Sequence, residues 1–179
     1  MSQPQLPDKV FIIASLFSPD KGVVDQVIAR LERTFGPVAW VSPGMFFDRT
    51  RYYEREMGWP LYRRFIAFQE LTAPEDLVDI KLKTNAIEAG YLVQGKRQVN
   101  IDPGYISAER LILATGKNYV HRVYLCKGIY ADLTLIFKKG SFRPLEWTYR
   151  DYADPDMIHM FNELRRIYME KRREMKRID

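Results

Sequence analysis

The stretch from Val99 to Phe137 reads VNIDPGYISAERLILATGKNYVHRVYLCKGIYADLTLIF, and it is the most informative part of the chain. Its apolar residues are typical of β-sheet, yet seven polar or charged side chains stand among them: Asn100, Asp102, Lys117, Asn118, His121, Arg122 and Asp132. Burying a polar group is costly unless it is hydrogen-bonded. The stretch therefore holds either a satisfied internal network or a ligand site, and the sequence leaves both open.

A hairpin within this stretch predicts a specific contact. If Lys127 and Gly128 form a two-residue loop, the facing pairs are Cys126–Ile129, Val123–Asp132 and His121–Thr134. His121 then lies diagonally from Asp132 on the same face of the sheet, within hydrogen-bonding reach. A carboxylate beside an imidazole fixes its tautomer and raises its basicity, so we predict His121 and Asp132 as a catalytic pair. A purely structural pair has the same pattern.

Cationic residues near this hairpin are candidate contacts for an anion. The sequence TGKN at residues 115–118 fits a turn whose amides meet a phosphate, but a solvated loop is the interpretation that this sequence favours. Lys117, Asn118 and Arg122 are the predicted ligand contacts, but the hairpin register puts Arg122 on the face opposite His121. The chain contains neither GxxxxGK[ST] nor GxGxxG, which excludes a P-loop and a dinucleotide-binding fingerprint.

Carboxylates elsewhere complete the candidate site. Asp102 begins the sequence DPGY, which predicts a type II turn in which its side chain bonds the turn backbone. Alternatively, Asp102 ends a strand and binds a ligand hydroxyl or a metal. Asn85 and Glu88 follow Lys81 at spacings of four and three on a predicted helix, where they flank the site or form an ordinary polar face. No metal-ligand motif is present, so we predict no metal residues.

The first half of the chain alternates between strand-like and helix-like patterns. Apolar or alternating runs predict four strands, at Val10–Phe17, Val38–Val41, Leu61–Leu71 and Gln98–Asp102. Helical spacing predicts two helices, at Val23–Phe35 and from Leu77 to Gly90. The order along the chain is therefore strand, helix, strand, strand, helix, strand. This order is typical of the ferredoxin-like βαββαβ unit. Residues 49–58 are charged and aromatic, and we predict irregular structure for them.

The second half adds more sheet and one helix. Residues 107–115 fit either a short helix capped by Ser107 or a strand. A hairpin is predicted from Arg122–Cys126 and Ile129–Phe137, and Asp154 is predicted to cap a final helix. The chain is therefore predicted to be a single α+β domain over residues 1–179, with a ferredoxin-like core extended by a C-terminal β-hairpin region and a terminal helix.

Charge is concentrated at the C-terminus. The net charge is +5, and the 15 residues from Glu163 to Arg177 contain seven basic and three acidic side chains. We predict that residues 169–179 form a projecting basic helix end. Such a segment binds RNA or anionic lipid, but its interspersed glutamates fit a solvated helix as well.

Composition also indicates the compartment. Cys126 is the only cysteine, so no internal disulfide forms, and a reducing cytoplasm is the expected location. One cysteine and two histidines exclude an ordinary structural zinc site. The apolar run Val10–Phe17 is too short to span a membrane and lacks a cleavage site, so we expect neither a membrane span nor a signal peptide.

Several segments resemble one known family over nearly the whole chain. They are YYEREMG (Tyr52–Gly58), IKLKTNAIEAG (Ile80–Gly90), VNIDPGYIS (Val99–Ser107), LATGKNYVHRVYL (Leu113–Leu125), GIYADLTLIF (Gly128–Phe137) and WTYRDY (Trp147–Tyr152). In these segments the chain is similar to the bacterial family catalogued as domain of unknown function 4416. That family has no established activity, so the resemblance implies relatedness and supplies no mechanism.

Two hypotheses about function follow. The first is a cytoplasmic domain that binds, and in one version acts on, a small anionic or phosphate-bearing ligand at a site on the sheet. The alternative is a non-catalytic RNA- or protein-binding module that uses the basic C-terminal helix. The sequence specifies no cofactor and no oligomeric state, and it leaves open whether the protein is an enzyme.

Overall fold

The structure is a computed structural model, and it describes residues 1–48 and 51–178. The described residues form nine strands: β1 (Val10–Ser18), β2 (Val38–Val41), β3 (Met45–Phe47), β4 (Leu61–Thr72), β5 (Asn100–Ile106), β6 (Arg110–Thr115), β7 (Arg122–Cys126), β8 (Ile129–Lys138) and β9 (Ser141–Pro144). They also form four α-helices: α1 (Lys21–Phe35), α2 (Glu54–Met57), α3 (Leu77–Ala89) and α4 (Pro155–Ile178). The chain is thus a mixed α/β protein, as predicted.

All nine described strands join one antiparallel sheet. Seven of them lie in the order β2-β4-β1-β5-β6-β8-β7, while β3 pairs with β4 and β9 pairs with β8. The predicted third strand, Leu61–Leu71, is therefore β4, because the short strand β3 precedes it. Residues 107–115, which fitted either a helix or a strand, contain the strand β6.

Helices cover both faces of the central strand. All nine residues of β1 are buried. Val10, Ile12, Ala14 and Leu16 pack with residues of α1 and α3, whereas alternate residues such as Phe11 pack in the cluster that contains α4. Because successive side chains of a strand point to opposite faces, a strand covered on both sides is apolar throughout.

The predicted type II turn at DPGY is wrong, because these residues lie within β5. Gly104 pairs with Ile13 of β1 on one side and with Leu113 of β6 on the other. A Cβ atom at Gly104 would lie 2.3 Å from the carbonyl oxygen of Ile112, so glycine is needed here for close packing of two strands. The β5–β6 ladder begins directly after Pro103, as expected for a residue that has no N–H to donate.

The hairpin loop is as predicted, but the register beyond it is not. Lys127 and Gly128 have φ values of 52° and 77° and form the two-residue loop, with Cys126 opposite Ile129. An irregularity between Tyr124 and Cys126 then shifts the pairing by one residue. The predicted pairs Val123–Asp132 and His121–Thr134 are therefore wrong: Val123 pairs with Ala131, and Arg122 pairs with Asp132.

Of two segments outside the main sheet, residues 49–58 differ in part from prediction and the final helix agrees with it. Residues 49–58 are not wholly irregular, since α2 lies among them; residues 49 and 50 fall outside the described residues. The final helix begins at Pro155, directly after Asp154, as predicted.

The basic end of α4 contacts the N-terminal segment and β4. Arg172 pairs with Asp8, and Lys176 Nζ lies 2.9 Å from the same carboxylate. Lys171 Nζ donates to the carbonyl oxygen of Gln69 at 3.0 Å.

No helix among residues 1–48 and 51–178 is long and apolar enough to cross a membrane.

Candidate functional site

A cavity of about 710 Å³ lies beside the part of the sheet formed by β5, β6 and β8. Six of the eight predicted site residues line it: Asn85, Glu88, Asp102, Lys117, Arg122 and Asp132. Asn118 and His121 are not among the lining residues. The structure thus brings together side chains from α3, from three strands and from the loop that follows β6.

Asp132 is the centre of a buried network at one wall of this cavity. Its Oδ2 atom lies 3.2 Å from His121 Nε2 and accepts a hydrogen bond of 2.9 Å from Arg122 Nε. Arg122 also donates from Nη1 to the carbonyl oxygen of Lys117 at 3.0 Å and from Nη2 to the Tyr149 hydroxyl at 2.7 Å. Every guanidinium nitrogen of Arg122 thus has a protein partner, and the network joins β7, β8 and two loops.

His121 lies behind the cavity wall. Its ring stacks on Trp147 with centroids 5.1 Å apart and an interplanar angle of 8°, and its side chain is only 7% exposed. Trp147 is itself held in place, because its Nε1 donates to the carbonyl oxygen of Leu133 at 2.7 Å. His121 Nδ1 is buried and has no hydrogen-bond partner among the described residues. The imidazole therefore orients Asp132, and the carboxylate is the member of the pair that lines the cavity.

Asp102 offers a second carboxylate to the cavity, from strand β5. Its Oδ2 accepts a hydrogen bond of 2.6 Å from Asn100 Nδ2, and its Oδ1 lies 3.6 Å from Lys81 Nζ. Lys81 is buried and donates to the carbonyl oxygen of Ile101 at 3.0 Å. The Asp102 side chain remains 33% exposed, so its oxygens are accessible from the cavity.

Glu88 is buried between α3 and β5. Its Oε1 accepts a hydrogen bond of 2.5 Å from the Ile101 amide, and its Oε2 lies 3.6 Å from Arg97 Nη1. Burial raises the pKa of the Glu88 carboxyl, and the charge of Asp102 adds to this; Lys81, the Ile101 amide and Arg97 act in the opposite direction. The carboxyl is therefore more readily protonated than an exposed glutamate.

Two arginines that no sequence pattern predicts, Arg63 and Arg97, also line the cavity. Arg63 is buried, donates from Nε to Ser15 Oγ at 2.8 Å and pairs with Asp151. Arg97 forms a bidentate pair with Glu56, with both nitrogen–oxygen distances at 2.7 Å. Hydrogen bonding by Arg97 lowers the pKa of Glu56. These two arginines are neutralised by carboxylates of the protein.

Two further cations differ from them. Lys117 and Arg150 line the cavity, are exposed, and make no ion pair with any residue that the structure describes. The Lys117 ammonium lies 5.3 Å from the centre of the Tyr52 ring. No spacing rule identifies Arg150 or Tyr52, but both occur in segments, WTYRDY and YYEREMG, on which the family resemblance rests.

The lining of the cavity combines charged with aromatic side chains. Within the described parts of the chain, no group of three or more His, Cys, Asp or Glu side chains could hold a metal ion. Aromatic side chains form much of the wall: Phe17, Phe47, Tyr52, Tyr53, Tyr149 and Tyr152. The arrangement can bind a molecule that has both a charged and an apolar part.

The fold and the cavity define a mixed α/β protein with a charged, aromatic-lined cavity against an antiparallel sheet. The chain belongs to the family described as domain of unknown function (DUF4416), whose model matches residues 7–168. Neither the curated proteins nor the solved structures contain a match to it.

Proposed function

We propose that the cavity binds a small anionic, phosphate-bearing organic molecule. The observation that carries this proposal is the pair of cations, Lys117 and Arg150, that line the cavity without an ion pair to a described residue. Cations that line a cleft without an ion pair to a described residue concentrate anions there, and lysine and arginine both bind phosphate. The other cations of the cavity hold protein carboxylates and serve as its framework.

The size and walls of the cavity support an organic ligand. A volume of about 710 Å³ lies within the range of about 300–1,000 Å³ that is usual for small-molecule sites. Tyr53 packs edge-on against Phe17 with ring centroids 4.7 Å apart, which gives a rigid aromatic surface. Such a surface stabilises the apolar part of a ligand by burial.

A catalytic role of Asp132 with His121 stays a prediction. Asp132 lines the cavity, and His121 is placed to orient its carboxylate from behind. If the protein acts on its ligand, Asp132 is the group that would contact the reacting atoms, with His121 as a positioning residue. A pH profile governed by one group near neutrality would support this role.

Titration calorimetry tests the proposed binding. The probes are inorganic phosphate and a panel of phosphorylated metabolites, and the variants are Lys117→Glu and Arg150→Glu. We expect each variant to weaken binding by about tenfold or more, because an attractive charge becomes repulsive at close range. Lys138→Glu changes the net charge equally at an exposed position outside the cavity and should bind like the wild type.

Two outcomes would contradict the proposal. One is a wild-type protein that shows no saturable binding of any phosphate-bearing probe. The other is an affinity that falls by the same factor in Lys138→Glu as in the two cavity variants, since this would show a general effect of charge.

The contacts of the basic helix weigh against the alternative of an RNA- or protein-binding module. Arg166 bonds Glu163 and Glu170 within α4, while Arg172 and Lys176 pair with Asp8. These side chains already have partners, so phosphates would have to displace them. Deleting residues 169–179 tests this alternative, because loss of a salt-dependent interaction with RNA would favour it.

We also propose that the first half of the sheet is a ferredoxin-like core. The support is the spatial order β2-β4-β1-β5, in which every neighbour is antiparallel, with α1 and α3 packed in the same cluster. This is the arrangement of a split βαβ unit.

The free, exposed thiol of Cys126 is consistent with the proposed location in a bacterial cytoplasm.

A further inference from the structure

We infer that the ligand carries, beside its phosphate, a portion with several hydroxyl groups, as in a sugar phosphate, and that Asp102 and Asn85 bind those hydroxyls. This inference rests on the proposed anion-binding function of the cavity. It adds the chemical class of the part of the ligand that Lys117 and Arg150 do not bind.

The position of Asp102 constrains what lies beside it. A carboxylate repels the phosphate of an anionic ligand, so the portion next to Asp102 must be a hydrogen-bond donor without negative charge. Its two oxygens can accept about four hydrogen bonds, whereas the described contacts are one hydrogen bond from Asn100 and one ion pair with Lys81. With 33% of the side chain exposed, capacity remains for a ligand donor.

The surroundings of Asp102 favour hydroxyl groups over an ammonium group. Lys81 Nζ, 3.6 Å from Asp102, would repel a positively charged donor. Asn85 lines the same cavity, is exposed, and forms no side-chain hydrogen bond with a described residue. Its amide both donates and accepts, and only a partner that does the same, such as a hydroxyl, uses both functions.

Phenol groups in the cavity fit the same ligand. Tyr53 and Tyr149 line the cavity, and burial raises the pKa of both, so their hydroxyls stay protonated at neutral pH. Each hydroxyl can therefore donate to or accept from a ligand hydroxyl. The aromatic faces can pack against the C–H groups of a sugar, which the charged side chains cannot do.

Titration calorimetry with defined probes tests the inference. The polyol probes are glucose 6-phosphate, fructose 6-phosphate, ribose 5-phosphate and glycerol 3-phosphate; the comparison probes are inorganic phosphate and phosphoethanolamine, which carries an ammonium in place of hydroxyls. We expect at least one polyol phosphate to bind about tenfold or more tightly than both comparison probes, the gain expected from one or two hydrogen bonds to a charged group. A gain confined to glycerol 3-phosphate identifies a simple polyol, and a larger gain with the hexose or pentose phosphates identifies a sugar.

Two variants assign that preference to residues. Asp102→Asn should weaken the best polyol phosphate about fivefold or more while tightening inorganic phosphate, because it removes a negative charge but keeps the size of the side chain. Asn85→Ala should weaken the polyol phosphate only. Gln26→Ala removes an exposed amide outside the cavity and should change neither affinity. Thermal melting checks that each variant is folded. If Asp102→Asn does not fold, the affinities of Asn85→Ala, which changes an exposed side chain, decide the assignment.

The possible failures are distinguishable. If inorganic phosphate binds and no polyol phosphate binds more tightly, the inference is wrong and the proposed anion site stands. If the preference survives in Asn85→Ala and Asp102→Asn alike, the hydroxyl contacts are wrongly assigned. If no probe binds at all, the inference fails together with the proposed function.

Discussion

His121 and Asp132 are in contact, with 3.2 Å between Nε2 and Oδ2, although the strand register from which we predicted this contact is absent. In the observed register Asp132 faces Arg122, and His121 lies in the turn that precedes β7. From that turn the imidazole reaches the same carboxylate. One buried carboxylate thus has two side-chain partners, and the guanidinium of Arg122 protects it from the cost of an unpaired charge.

Substitutions of His121 separate its two contacts. His121→Phe keeps an aromatic ring on Trp147 but loses the hydrogen bond, whereas His121→Gln keeps a donor and loses the stacking. We expect each to lower the free energy of unfolding by about 1–2 kcal/mol, and His121→Ala to lower it by more. Urea denaturation measures these values. Wild-type stability of His121→Ala would show that the contact contributes nothing to folding.

Removal of Asp132 should be more damaging. Asp132→Ala leaves Arg122 with a largely buried, unpaired charge, since the two side chains are 3% and 10% exposed. Breaking a buried pair from one side costs about 3–5 kcal/mol. The control is Asp79→Ala, which breaks the exposed pair with Lys127 and should leave the unfolding curve unchanged. Equal stability of the two variants would argue against a buried network.

Gly104 should tolerate no side chain. In Gly104→Ala the new Cβ would meet the carbonyl oxygen of Ile112 at 2.3 Å, so β5 and β6 must separate. Forcing extra volume into a packed site costs about 1–3 kcal/mol and occasionally more. Gly116→Ala is the matched control, because the nearest atom to its Cβ is 4.0 Å away. Thermal or urea unfolding of both variants provides the comparison, and a fully stable Gly104→Ala would contradict the close approach of the two strands.

Glu88 should make stability depend on pH in a direction opposite to that of most carboxylates. The pKa of Glu88 in the folded protein is raised above the ordinary value of 4.5. Its contribution to the stability of the fold is therefore most favourable below pH 4.5 and is lost as the pH rises through the folded pKa. Glu88→Gln keeps an oxygen for the Ile101 amide and removes the titration. We therefore expect the variant to gain stability relative to the wild type between pH 4.5 and neutrality, measured by urea denaturation at several pH values. A constant difference over that range would contradict the raised pKa.

The elements that were predicted correctly depend on local patterns. The uniformly apolar run that forms β1 and the loop at Lys127–Gly128 are determined by burial and backbone preference within a few residues. The turn predicted at DPGY is wrong because a glycine required for the close packing of two strands looks the same in the sequence as a glycine required for a turn. The register of the hairpin was predicted wrongly because of an irregularity between Tyr124 and Cys126, which no residue type in the sequence indicates.

By itself, the sequence determined the α+β class, most strands and helices, and a set of polar residues of which six line one cavity. Only the tertiary structure decided which charges are neutralised inside it. Arg97 meets Glu56 across 41 positions of the chain, and Arg63 meets Asp151 across 88. Local periodicity reports which face of an element is buried, but the pairing of charges depends on contacts between distant segments. Lys117 and Arg150 are therefore distinguished from the other cations of the cavity only after folding.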